Sequence, residues 1–220
     1  MSLPHLSEST EMYLKAMAEL GEGEVVPIGR LAERLEVTSV SANEMVKRLG
    51  DQGLVSHTPY KGVNLTKKGR KAACDVVRRQ RLWECFLHDH LKIEWAQLYE
   101  LACSLEHATA PEVTDALAKF LGNPSACPHG NPIPAADGSF TRVRGISLSE
   151  VPLGSTVRVL AVRATATAVL KHLQERDILP GREITVLEAA PMQGPLTLDV
   201  EGNRVLLGLL ISKFVIVEMQ

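Results

Sequence analysis

Residues 122–138 read GNPSACPHGNPIPAADG, seven Gly or Pro in 17 positions. Proline lacks a backbone N–H and glycine loses the most entropy on ordering, so this stretch continues neither a helix nor a strand. It separates a chain whose apolar residues recur every three or four positions from one in which they alternate. The expected fold is therefore α+β, in three parts: residues 1–72, 73–141 and 142–220.

In the first part, TEMYLKAMAEL carries Met12, Leu14, Met17 and Leu20 at helical spacing behind possible caps at Ser9 and Thr10. PIGRLAERLEV and TSVSANEMVKRLGDQGLV then read as two helices of about ten and fourteen residues joined by a tight turn, with Thr38 placed to cap the second. LVSHTPYKGVNLT alternates as two short strands around Tyr60, Lys61 and Gly62, and KKGRKAA restarts a helix. This is the order of a winged helix-turn-helix. Residues 27–81 hold 12 Lys/Arg against 5 Asp/Glu, a net of +7, whereas the remainder holds 12 against 21, a net of −9. A basic segment inside an acidic chain is what binding to phosphates requires, so double-stranded DNA is the expected partner. The competing reading is a winged helix used only for protein contacts.

The segment GRKAACDVVRRQRLWECFLHDHL predicts a long helix with an apolar stripe at Ala73, Val76, Val77, Leu82, Phe86 and Leu87. Two further helices, EWAQLYELACSLEHA and PEVTDALAKFLG, complete a layer suited to dimerisation, the second opening on Pro111 in its first turn. Beyond the Gly/Pro stretch, STVRVLAVR, REITVLEAA, PLTLDVEGN and SKFVIVEM alternate as strands around a helical insert TATAVLKHLQERD, which predicts a small β-barrel. No run of 18 apolar residues and no basic-then-apolar leader occurs, so membrane insertion and secretion are not expected and the cytoplasm is. The four cysteines form no CxxC pair, and Cys74 and Cys85 are separated by about 16 Å of helix, which points to reduced thiols.

Within the second part, LACSLEHA places Cys103, Glu106 and His107 at i, i+3 and i+4. In a helix these three side chains share one face, and a thiolate, a carboxylate and an imidazole together suit a divalent transition metal. The bland alternative is a core cysteine beside an exposed Glu–His pair.

STEMYL at the start, LAERL in the first helix of the helix-turn-helix, GLV before the wing, LT..GR after it, AC..EH and GNPIP come in an order and spacing that resembles the diphtheria toxin repressor family of iron-dependent and manganese-dependent transcriptional regulators. The resemblance spans essentially the whole chain. It implies a winged-helix DNA reader, a helical dimerisation domain and a C-terminal SH3-like (FeoA-like) barrel. It also implies a regulatory Fe(II) or Mn(II) ion held by Met12, Cys103, Glu106 and His107, and a homodimer that represses metal-uptake genes by binding a palindromic operator. On residue type alone Met12 reads as core filler; the motif makes it a ligand.

The chain departs from the family's ancillary metal site. Of those ligands only Glu84 is kept, with Gln80 and Tyr99 at the histidine positions and Ala166 and Val169 at the barrel positions. One tight ion per subunit is therefore expected, and any weaker second ion is assigned to Glu84, His88 and His172. CPHG, with Cys127 and His129, reads as a loop rather than a metal knuckle. In the recognition helix Ser39, Ser41, Asn43 and Glu44 are placed at base edges, and Lys47, Arg48, Lys61 and Arg70 at phosphates; Glu44 stands where iron-type members carry glutamine. No HExxH or similar hydrolytic pair is present, so an enzyme acting on a small-molecule substrate is not expected. The alternative function is a winged-helix regulator answering to an organic ligand or to thiol oxidation at Cys103.

Overall fold

In a computed structural model that describes residues 6–21, 25–58, 61–139, 141 and 143–220, helix α1 (Glu8–Gly21) starts earlier than its caps predict. The Ser7 hydroxyl accepts from Thr10 N at 3.3 Å, and the first turn carries Glu8 and Glu11. Acidic groups there complement the positive end of the helix, which favours this start over Ser9 or Thr10. Helices α2 (Ile28–Arg34) and α3 (Ser39–Asp51) follow. As expected, the Thr38 hydroxyl caps α3 by accepting from Ser41 N at 3.2 Å. Ala42, Met45, Val46 and Leu49 of α3 are buried at i, i+3, i+4 and i+7, leaving the opposite face to solvent.

Strands β1 (Val55–Thr58) and β2 (Gly62–Leu65) pair antiparallel from Val55↔Leu65 to Thr58↔Gly62 and form the wing. Tyr60, which the sequence places at its tip, lies outside the described residues. Val63 and Val26 exchange two backbone hydrogen bonds of 2.8 and 2.9 Å, which closes the wing onto the strand-like segment before α2. Gly62 has φ +132, and a Cβ there would run into the Val26 carbonyl, so this junction requires glycine.

Helix α4 (Lys67–Asp89) is 23 residues long and contributes to both compact units of the chain. The first unit comprises the described residues up to Arg79 and the segment 134–139; its core joins Leu14, Met17, Leu31, Leu49 and Val63 to Ala72 and Ala73 of α4. The segment 134–139 is held there by Arg78, whose Nη1 donates to the Pro134 carbonyl at 2.7 Å.

The second unit comprises Gln80–Ile133 and the described residues from 141 onward. It contains the end of α4, a 3₁₀ turn at Trp95–Gln97, α5 (Leu98–Glu106) and α6 (Pro111–Phe120), followed by an antiparallel sheet. That sheet is β3 (Ile146–Ser147), β4 (Thr156–Val162), β5 (Glu183–Ala189), β6 (Leu196–Val200), β7 (Asn203–Leu207) and β8 (Val215–Met219), in the order β3-β8-β4-β5-β6-β7. Helices α7 (Thr167–Gln174) and α8 (Leu209–Ser212) interrupt it. The strands that alternate in the sequence form one sheet, as their period predicts, and its SH3-like fold is the one the family resemblance implies. Its core is shared: Trp95, Ala96, Leu98 and Ala102 pack in one cluster with Val157, Leu170, Leu173, Ile178 and Val217. Among the described residues no helix is long and apolar enough to cross a membrane.

The Gly/Pro stretch is ordered by specific bonds. Gly130 N donates to the Cys127 carbonyl at 2.8 Å and Cys127 N to the Asn131 carbonyl at 3.0 Å, making a tight turn. A bulge between Val159 and Ala161 interrupts the β4–β8 ladder, and just past it Val162 N donates to the His129 carbonyl at 2.8 Å. Asn131 Nδ2 donates to the Val162 carbonyl at 2.8 Å, so the turn is tied to β4 twice. Gly130 has φ +78, and a Cβ would meet the Leu160 carbonyl and the Ala161 backbone. Gly130→Ala is therefore expected to destabilise the protein by about 2 kcal/mol or more, from left-handed strain plus backbone overlap. Chemical denaturation of the two proteins checks this, and an unchanged midpoint would contradict the close approach.

Candidate metal centres and nucleic-acid interface

Helix α5 buries Leu98, Ala102 and Glu106 at i, i+4 and i+8. Glu106 thus continues an apolar stripe with a carboxylate that has 0% exposure. A buried carboxylate requires a counter-charge or a proton. Its nearest groups are the ones the sequence singles out: the Cys103 thiol donates to Glu106 Oε1 at 3.7 Å, and His107 Nε2 stands 3.2 Å from the same oxygen. Donor atoms of all three residues lie within 4.8 Å of one another, close enough for one ion. The end of α5 is fixed from α4, since Trp83 Nε1 donates to Thr109 Oγ1 at 2.7 Å and that hydroxyl donates to the Leu105 carbonyl at 2.7 Å. Met12 lies in α1 of the first unit.

A second donor group forms where the sequence reading placed only a loop. Glu84 of α4 meets Cys127 and His129 of the Gly/Pro turn, again with all donor atoms within 4.8 Å. The three are 3%, 6% and 2% exposed, drier than the group on α5. His129 Nδ1 is 3.2 Å from Glu84 Oε2, and its Nε2 donates to the Trp95 carbonyl at 3.1 Å, with the Trp95 ring packed against the imidazole at 4.5 Å between centroids. Burial pushes the Glu84 carboxyl up, but the charge and hydrogen bond of His129, helped by Cys127 and Arg81, hold it below the usual carboxylate range. Burial, with the Glu84 charge, holds the Cys127 thiol well above its ordinary value, so it stays protonated until a cation displaces the proton.

This corrects the expected second site. His88 does not join Glu84: its side chain is 44% exposed and its Nδ1 is 2.8 Å from Asp89 Oδ1. The i+4 spacing puts it on the Glu84 side of the helix, but α4 ends at Asp89 and its last turn reaches solvent. His172 is on α7, where its carbonyl takes Arg176 Nη1 at 3.0 Å, and it is absent from both donor groups. The signal for Cys127 and His129 was present in CPHG; what the sequence lacked was the fold that brings this turn back to α4.

The surface of the first unit carries the residues assigned to DNA. Ser39, Ser41, Asn43, Glu44, Lys47 and Arg48 are all exposed on α3, as are Lys61 in the wing and Arg70 at the start of α4. Asn43 Nδ2 is turned back to the Ser39 carbonyl at 3.0 Å. One residue the sequence reading passed over stands among them: Val40, in the first turn of α3, is 70% exposed. On the second unit, Phe86, His90 and Phe120 form an aromatic group with centroids 4.8 to 6.0 Å apart, and Phe120, Leu91 and Val113 are 63%, 55% and 47% exposed.

Residues 5–63 match the family described as iron dependent repressor, N-terminal DNA binding domain; residues 66–135 match its metal binding and dimerisation domain, and residues 146–219 the FeoA domain. The chain is 33% identical over 211 residues to the iron-dependent repressor IdeR of Mycobacterium leprae, covering 90% of this chain and 91% of that protein. It is 35% identical over 214 residues to the diphtheria toxin repressor of Corynebacterium glutamicum, covering 91% of each. Among solved structures, a manganese-dependent transcriptional repressor in complex with manganese superposes with a TM-score of 0.87 at 30% identity, over 96% of this chain and all of that one, 100%.

The Glu84–His129 pair makes a stability prediction independent of metal. In the presence of chelator, His129→Leu should cost about 3 to 5 kcal/mol, because it strands a buried carboxylate. Glu84→Leu combined with His129→Leu should cost less than the two single changes added together. Denaturant melts of the four proteins give the coupling, and additivity would mean that the two groups do not compensate each other.

Proposed function

This chain belongs to the iron-dependent repressor family, and we propose that it is a homodimeric, metal-activated repressor that binds a palindromic operator in double-stranded DNA, in the cytoplasm. The observation that carries the reading is the convergence of Cys103, Glu106 and His107 on one point at a fully buried carboxylate. Their chemistry fits Fe(II) or Mn(II): two anionic donors match a dication, and the imidazole adds a neutral nitrogen. Met12 is the fourth ligand by the STEMYL motif. When bound, the ion supplies the missing positive charge and a bond between the element carrying Met12 and the one carrying the other three.

The remaining steps belong to this chain's own residues. Trp83 and Thr109 hold the end of α5 so that its donors stay converged. Phe86, His90 and Phe120, with Val113 and Leu91, supply the exposed apolar face for a second copy of the chain, within the residues that match the dimerisation domain. A dimer presents two copies of α3 to successive major grooves, roughly 34 Å apart, which selects a palindrome. There Ser39, Ser41, Asn43 and Glu44 address base edges, Val40 offers an apolar contact for a thymine methyl, and Lys47, Arg48, Lys61 and Arg70 neutralise phosphates. The three functional parts are assigned as residues 1–72, 73–141 and 142–220.

Titration of a labelled operator with and without Fe(II) or Mn(II), under reductant, tests the switch. Metal should tighten binding at least tenfold, chelator should reverse it, and His107→Ala and Met12→Ala should each abolish the effect. Metal-free protein binding as tightly as loaded protein would overturn the reading, and a response to thiol oxidation without metal would favour the sensor alternative at Cys103.

The interface makes a second test. Arg48→Ala should weaken binding to all sequences and lower the salt slope by about one, whereas Glu44→Gln should change base preference. Val40→Ala should cost about 1 kcal/mol only at sites where a thymine faces it. Binding-site selection with the three variants checks this, and an unchanged preference in Glu44→Gln removes that residue from the reading set.

A further inference from the structure

We propose that α7 of the C-terminal part positions the metal donors of α5, and that Gln174 is the positioning residue through which it acts. The inference rests on the reading of Cys103, Glu106 and His107 as a metal site. The 3₁₀ turn at Trp95–Gln97 and α5 behind it begin without a side-chain cap, since neither Glu94 nor Gln97 bonds the first N–H groups. Such groups have no partner inside the helix, and a buried one must find an acceptor elsewhere. Ala96 is 2% exposed, and its N–H donates at 3.1 Å to Oε1 of Gln174, the last residue of α7. At the other end of α7, Thr167 Oγ1 donates at 3.0 Å to Glu100 Oε2 in the first turn of α5. Between the two bonds, Leu170 and Leu173 of α7 share one core cluster with Ala96, Leu98 and Ala102.

The buried stripe that lies in this cluster is the one that ends on a donor. Leu98, Ala102 and Glu106 follow at i, i+4 and i+8, so whatever fixes the rotation of α5 at Leu98 and Ala102 also fixes the direction of the Glu106 carboxylate one turn on. Cys103 and His107 come one position after Ala102 and Glu106 and turn with them. Apolar packing alone has no direction and lets a helix roll on its neighbour. Hydrogen bonds do have one, and two of them at opposite ends of α7 select a single rotation and a single register of α5. Tyr99 and Val169, which stand where the family places ancillary ligands, are partly buried against the same cluster. Side-chain packing and two hydrogen bonds thus join the C-terminal part to α5 directly.

The test uses the full chain with Cys127→Ser, which leaves Cys103 as the only thiol in the two donor groups, and Co(II) as the probe. This parent should show a near-ultraviolet thiolate-to-cobalt band, and in its metal-free form the Ala96 N–H should exchange slowly with deuterium. Gln174→Leu should speed that exchange, weaken Co(II) binding about tenfold and shift the visible ligand-field bands of the saturated protein. A loss of stability alone would lower the occupancy without moving the bands. Gln174→Glu, which keeps an oxygen at the same reach, should retain the parental affinity and bands. Gln174→Asn, which withdraws the acceptor by one methylene, carries the expectation of Gln174→Leu should that variant not fold. Parental affinity and bands in Gln174→Leu or Gln174→Asn would overturn the proposal, and so would an Ala96 exchange rate that neither variant changes. If the parent gives no thiolate band, the metal reading of Cys103, Glu106 and His107 itself fails, and this proposal with it.

Discussion

The contact between Glu84 and His129 holds the second unit in register. Glu84 comes from the last third of α4, and His129 from a turn that neither helix nor strand can accommodate. The imidazole bonds the carboxylate on one side and the Trp95 carbonyl on the other, while its own backbone carbonyl takes the Val162 N–H of β4. One residue thus ties the long helix, the 3₁₀ turn before α5 and the sheet. Charges in so dry a place are stable only as a compensated pair, so the geometry of the turn and the protonation of the pair depend on each other.

Two donor groups in one chain use the same three residue types, a carboxylate, a thiol and an imidazole, but assemble them differently. Cys103, Glu106 and His107 sit within one helical turn, and their convergence follows from α5 alone. Glu84, Cys127 and His129 converge only after the Gly/Pro turn has folded back onto α4. The first group is therefore available as soon as α5 forms, whereas the second reports on the packing of the whole unit. Both match a dication with two negative donors, which keeps each site neutral when filled.

This difference explains what was legible in the sequence. The helix-turn-helix, the Thr38 cap, the wing and the α5 group were readable because each rests on periodicity or on local spacing. Glu84 was recognised, but its partners were not, because Cys127 and His129 lie more than forty positions away along the chain and no local pattern encodes that meeting. His88 was assigned to Glu84 by an i+4 rule that ignores where a helix end emerges into solvent. Val40 was overlooked for the opposite reason: an apolar residue at a helix start reads as core, and only its exposure marks it as surface.

Helix α4 is where the two units share covalent structure. Arg79, the last of its residues in the first unit, binds Glu11 of α1 at 2.5 Å, and the adjacent Gln80 opens the second unit. Glu11 precedes Met12 by one position, so the residue proposed as the fourth ligand of the α5 site is anchored through its neighbour to α4. Glu84 in turn anchors the turn that carries Cys127 and His129. Both donor groups of the second unit therefore draw on α4, the α5 group through Trp83 and the turn group through Glu84. A substitution that bends this helix at Trp83 and Glu84 would disturb both groups together, whereas one within α5 or within the Gly/Pro turn would disturb only its own.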